Sequence, residues 1–279
     1  GSEMCIRDRY DVIYLDMASV LGVTSSEDAV SYVKRNIIEE VLDIYPEVKE
    51  AEALFDTLAN LVTYTGNKII MIIDEWDAPI RENGGNAGIQ REYLLFLRSL
   101  FKNSGTTDKI FAAVYMTGIL PIKKYGEHSA INVFYEYSMT DAKPISEFTG
   151  FTENEVKFLC KKYNKPFEQM KRWYDGYCLD EISIYNPKSV VESILRDNFG
   201  NYWTKTETYE ALKVYIQTNF DGLRDKIVKL IAGEKVKINP DKFQNDMTTL
   251  ESTDDVLTLF VHLGYLTYDF YKQKVSILY

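Results

Sequence analysis

The stretch Ile69-Ile70-Met71-Ile72-Ile73-Asp74-Glu75 constrains this chain more than any other. Its unbroken apolar run lacks the alternation of a strand with one wet face. Lys68–Ile73 is therefore expected to be a central parallel strand covered on both faces. The two carboxylates that follow are then pinned at the C-terminal edge of the sheet, where open α/β folds bind their ligands. The neighbouring segments agree. Tyr10–Met17 has the β-branched and aromatic content of a strand. Ser25-Ser26-Glu27 opens a helical pattern through Val30, Val33, Ile37, Ile38, Val41 and Leu42. A second runs from Ala51 to Val62 and breaks at Gly66-Asn67. A third passes through Tyr93, Phe96, Leu97, Leu100 and Phe101 before the strand Lys109–Thr117. Strand and helix alternate as in an α/β layer with parallel strands.

Composition sets the outer limits. Of the 279 residues, 46% are hydrophobic and 27% charged, enough for a folded core. A formal charge of −10 opposes non-specific binding to a phosphate backbone, so nucleic acid is not expected as a partner. No apolar run approaches the roughly 20 residues that span a bilayer. Three cysteines (Cys5, Cys160, Cys178) are too few for a disulfide framework and suit a reducing cytoplasm, with no leader pattern pointing to secretion. Gly1–Arg9 (GSEMCIRDR) resembles the translation of a transposase sequencing adapter. We set residues 1–9 aside as non-native and expect the natural protein to extend further upstream.

Past about Gly150 the pattern changes. Thr152 caps a helix to Lys162, with Glu155 three residues on. Phe167–Tyr174, Pro187–Arg196, Thr206–Thr218 and Leu223–Ile231 also read as helical, so residues 151–250 are expected to form a helical domain. In residues 251–279, the helix Asp254–Leu263 stops at Gly264 and leads into a hairpin, Tyr265–Tyr271 with Lys274–Leu278, as at a winged-helix end.

Apolar residues followed by Asp-Glu describe a Walker B strand: the Asp holds Mg²⁺ through its water shell and the Glu polarises water for attack on a γ-phosphate. The alternative is a buried strand that ends in acidic loop residues. A two-metal nuclease using Asp74, Glu75 and Asp77 would need a further carboxylate-x-Lys strand, and none is well placed. Arg81, Arg91 and Arg98 each could face phosphate or a neighbouring subunit, and the sequence does not choose among them. His262, on an apolar helix, reads as structural; His128 lies far from it, with no cysteine at zinc spacing. Cys160 and Cys178 read as small core residues. Trp173–Tyr177 reads as aromatic packing with a turn at Asp175-Gly176.

In combination these segments resemble the AAA-ATPase-like domain of many bacterial and mobile-element proteins. The resemblance is carried by Asp74-Glu75-Trp76-Asp77 with Pro79-Ile80, by the exit Met116-Thr117-Gly118, and by Trp173–Tyr177, Tyr185–Val190, Tyr202-Trp203 and Leu263–Asp269, in order. It implies a P-loop ATPase core over residues 10–150, a helical segment and a winged-helix-like end, often followed by a PD-(D/E)XK nuclease-like domain. It further implies ATP and Mg²⁺ as cofactors, with Asp74 on the metal, Glu75 activating water and Thr117 sensing the γ-phosphate. One departure is plain. No G-x-x-x-x-G-K-[ST] occurs in the chain, so the loop that would cradle the phosphates is missing. The expectation is therefore a truncated sheet lacking its first strand, with either a gap beside Lys109–Thr117 or another neighbour for that strand, and sticky edges, in a fragment that is itself inactive. The alternative is a non-catalytic module that binds a protein partner through its helical and winged parts.

Overall fold

The computed structural model describes residues 9–83, 86–102, 105–119, 133–179, 182–200, 202, 220–243, 250 and 252–277. The adapter-like residues before Arg9, His128, Trp203 and the helix expected at Thr206–Thr218 lie outside them. The chain divides into two compact units between Tyr135 and Glu136, ahead of the boundary expected near Gly150.

The first unit is built on three parallel strands, β1 (Tyr10–Asp16), β2 (Lys68–Asp74) and β3 (Phe111–Met116), in the order β1-β2-β3. The register pairs Asp16 with Asp74 and Ile73 with Met116, so the three strand ends are flush. A short helix, α1 (Met17–Val23), follows β1 directly, and α2 (Ala29–Ile44) and α3 (Leu54–Thr65) lead to β2. Asp16 caps α1 by accepting the Ser19 N–H at 3.0 Å, a start signal that the sequence pattern did not reveal. Gly66 ends α3 at φ 74°, a left-handed cap that glycine adopts without strain. After β2 come the single turn α4 (Ala78–Arg81), α5 (Ala87–Phe101) and another turn, α6 (Thr107–Ile110), before β3.

The expectation that β2 is covered on both faces is corrected. Ile69, Met71 and Ile73 are fully buried in one core with side chains of α2, α3 and α5. Ile70 and Ile72 are only half-buried. Their row neighbours across the sheet, Val12 and Tyr14 at 59% and Tyr115 at 56%, are exposed. Handedness explains the asymmetry. The crossovers β1→β2 and β2→β3 step the same way across the sheet, and two right-handed crossovers in one direction put their helices on one face. Among the described residues β3 pairs with β2 alone, so its outer edge is free.

The second unit corrects the expectation of an uninterrupted helical stretch. Helices α7 (Glu153–Lys162), α8 (Phe167–Tyr174), α9 (Pro187–Leu195) and α10 (Leu223–Ile231) are present, and the Thr152–Glu155 capping box starts α7 as expected. Between them lies a small antiparallel sheet of β4 (Phe151–Thr152), β6 (Ile182–Tyr185) and β5 (Asp175–Leu179). Asp175-Gly176 is no turn: Asp175 opens β5, and the register slips between it and Tyr177 as in a bulge. A second sheet joins β7 (Val236–Lys237), β9 (Lys274–Ile277) and β8 (Leu266–Asp269), with α11 (Thr253–His262) ahead of the hairpin. Gly264, at φ 76°, ends α11 where expected. The last segment is not a body apart: the Tyr177 hydroxyl donates to the Gly264 carbonyl at 3.1 Å, and the Cys178 N–H to Thr267 Oγ1 at 3.1 Å. Cys160 is buried, but Cys178 is exposed, because it lies on the outward side of β5. No helix among the described residues is long and apolar enough to cross a membrane.

Candidate active site

The flush strand ends bring three sequence-expected residues together. Asp74 ends β2, Glu75 follows it, and Thr117 follows β3 beside them. The Thr117 hydroxyl donates to Asp74 Oδ1, which also accepts the Glu75 N–H at 3.1 Å. Asp74 Oδ2 accepts from the hydroxyl of Tyr14, on β1, at 3.1 Å. Backbone bonds lock the same corner, with the Thr117 N–H donating to Ile73 O and the Trp76 N–H to Thr117 O, both at 2.9 Å.

Glu75 sits at φ 51°, a left-handed conformation that is costly for a residue with a Cβ and that concentrates at functional sites. Its carboxylate, 37% exposed, accepts from the Arg81 guanidinium at 2.5 Å. Arg81 also pairs through Nε with Asp77 Oδ2 at 3.1 Å, and Asp77 is fully buried. Arg81, one of the three arginines left open by the sequence, is held against the acidic turn. Burial pushes the Glu75 carboxyl up; Asp77, Asp74 and Asp16 push the same way, while Arg81 opposes them. Asp16 is held below the usual carboxylate range by hydrogen bonds from Ser19, and the bond to Asp74 raises the Tyr14 hydroxyl.

Sequence reasoning missed Tyr14 and Asp16. Their signal lay in the pairing register, which places a neighbouring strand end beside Asp74 and which no single segment encodes.

Among the described residues no group of three or more His, Cys, Asp or Glu could hold a metal ion by itself. The donors around Asp74 are nonetheless hard oxygens, and a carboxylate offers about four lone-pair positions, of which three are used here. That set fits Mg²⁺ completed by water and ligand phosphate, the usual manner for this ion, and not a cage made of protein alone.

These features define a parallel α/β unit whose ligand edge carries carboxylates and a hydroxyl. Residues 2–126 match the family described as Predicted AAA-ATPase, and for that stretch the AAA-ATPase-like resemblance is shown. The match begins within the adapter-like segment and ends before Trp173–Tyr177 and the later motifs. Over 175 residues the chain is 26% identical to a protein of Azotobacter chroococcum mcd 1 described as "Uncharacterized protein in vnfD 5'region"; the alignment takes in 62% of this chain and 34% of that protein. The chain thus spans about a third of that curated relative. No solved structure matches it.

Proposed function

We propose that this chain is the carboxylate-bearing part of a longer ATPase that binds ATP with Mg²⁺ and hydrolyses it to drive a conformational change. The observation that carries the reading is the meeting of Asp74, Glu75 and Thr117 at one edge of a parallel sheet in an AAA-ATPase-like segment. When bound, Mg²⁺ supplies charge neutralisation at the transferring phosphoryl group. Asp74, fixed by Thr117 and Tyr14, would hold the ion through water. Glu75 accepts a proton from the attacking water and orients it. The Thr117 hydroxyl exchanges its bond to Asp74 for a phosphate oxygen.

The bare face supports a further strand in the longer protein. A strand that precedes β1 and lies against the free edge of β3 crosses the sheet in the opposite sense to the two crossovers seen. A right-handed connection from it therefore lays its helix over Val12, Tyr14, Ile70, Ile72 and Tyr115. The loop between that strand and helix opens at the Asp74–Thr117 edge, where a phosphate cradle is needed. In the second unit, the order α10, β7, α11, β8, β9 supports a winged-helix-like end, which we assign to a protein partner.

The test is ATP turnover by the protein extended upstream through its phosphate loop. Glu75→Gln should retain nucleotide binding and lower turnover by about 100-fold or more. Unchanged turnover removes Glu75 from the mechanism.

A further inference from the structure

Asp77 precedes α4 in the N-cap position, yet its side chain makes no capping bond to that helix. It is spent elsewhere. With 1% of the side chain exposed, Oδ2 faces Arg81 Nε at 3.1 Å, and Oδ1 accepts the Ile119 N–H at 3.3 Å. Gly118 lies so close that a Cβ there would meet Asp77 Oδ1 at 2.6 Å and the Trp76 ring at 2.8 Å. Arg81 carries the path onward to the Glu75 carboxylate at 2.5 Å. On the other side, Thr117 adjoins Gly118, holds the Trp76 N–H through its carbonyl and bonds Asp74 through its hydroxyl. The path is therefore a closed ring: Asp74, Glu75, Arg81, Asp77, the Gly118–Ile119 backbone, Thr117 and back to Asp74.

A buried carboxylate paired to arginine is an expensive way to hold a turn, since desolvation offsets much of the attraction. What this arrangement does supply is a continuous path between two groups, the Thr117 exit and the Glu75 carboxylate. We propose that Asp77 and Arg81 are positioning residues that couple the Thr117–Ile119 exit to Glu75. When the Thr117 hydroxyl leaves Asp74 for a ligand oxygen, Gly118 and Ile119 shift against Asp77, and Arg81 resets the direction of the Glu75 carboxylate. This deepens the ATPase reading and takes its purpose from it, but the coupling itself is open to test without nucleotide.

The test is residue-resolved amide hydrogen exchange on the chain as it stands. Arg81 touches neither Thr117 nor Ile119 in the bonds described, so a merely local role for it leaves their amides unmoved. Arg81→Gln should speed exchange at Ile119 by about fivefold or more, with Ile13 on the covered side of β1 unchanged. Arg81→Lys, which keeps the charge, should recover most of the protection. Glu75→Gln, a milder change three links from Ile119, should give about a twofold rise and serves if Arg81→Gln does not fold. Exchange at Ile119 that is unchanged in both variants overturns the coupling. In the upstream-extended protein, Arg81→Gln should lower kcat about tenfold at constant KM; a change in KM alone also overturns it. Absence of ATP turnover in the unsubstituted upstream-extended protein overturns the ATPase reading instead, and the exchange result still decides the coupling.

Discussion

The two faces of β2 carry nearly the same residues and have opposite fates. Ile69, Met71 and Ile73 lie in the core beneath α2, α3 and α5, while Ile70 and Ile72 share a face with exposed Val12, Tyr14 and Tyr115. Apolar character therefore does not decide cover in this sheet; the direction in which the chain crosses it does. A strand that reads as buried on both sides becomes half-bare when both crossovers run one way.

The largest effects belong on the covered face. Met71→Ala should cost the first unit about 2–5 kcal/mol in denaturant unfolding, the range for a cavity at a close-packed site. Ile72→Ala, one residue along on the bare face, should cost about 1 kcal/mol or less. Equal costs would mean that the second face is covered after all.

Gly118→Ala sharpens the comparison at the ligand edge. A Cβ within 3 Å of the buried Asp77 carboxylate and the Trp76 ring forces the exit of β3 to move. A loss of about 2 kcal/mol is expected, with the change confined to the first unit when each unit is followed separately. An unchanged melting midpoint there would show that the corner is looser than described.

The second unit should respond to mild acid through a buried histidine. Burial lowers the His262 pKa to about 4, so the neutral form is the one that fits beside Phe243. With the folded value below the unfolded one, the unfolded state binds the proton first. Stability is complete above pH 6.5 and falls as pH drops toward about 4. The loss at pH 5 should reach about 1–2 kcal/mol, and His262→Gln should flatten the profile across that window. Glu153 adds a smaller effect at lower pH. Its bonds from Lys157 and Lys171 bring it to about 2, so its contribution is present above the ordinary carboxylate range and is lost between there and about pH 2. Urea midpoints measured from pH 7 to pH 3 check both.

Much of the first unit was legible because long periodic segments dictate their own structure. The Ile69–Ile73 run, the α2 stripe through Val30, Val33 and Ile37, and the Gly66 stop each needed only local chemistry. Asp74, Glu75 and Thr117 were legible because they terminate such segments. What escaped was set by pairing. Asp16 and Tyr14 join the site through strand register, and Arg81 is distinguished from Arg91 and Arg98 only by the turn that aims it at Glu75. The strands of the second unit were hidden for another reason. β4 has two residues and β6 four, too few for a period-2 signal, and the bulge after Asp175 breaks the alternation of β5.

We propose that this chain carries the carboxylate side of a nucleotide site without the phosphate cradle. Isothermal titration of the chain with ATP and Mg²⁺ tests it most directly. Asp74, Glu75 and Asp16 lie at the ligand edge, with Arg81 already committed to Glu75 and the buried Asp77. An incoming triphosphate meets like charge at this edge, and the sequence has no G-x-x-x-x-G-K-[ST] loop to offset it. No measurable heat is expected below about millimolar ATP. Saturable binding in the micromolar range would contradict it and place a phosphate site elsewhere in the chain.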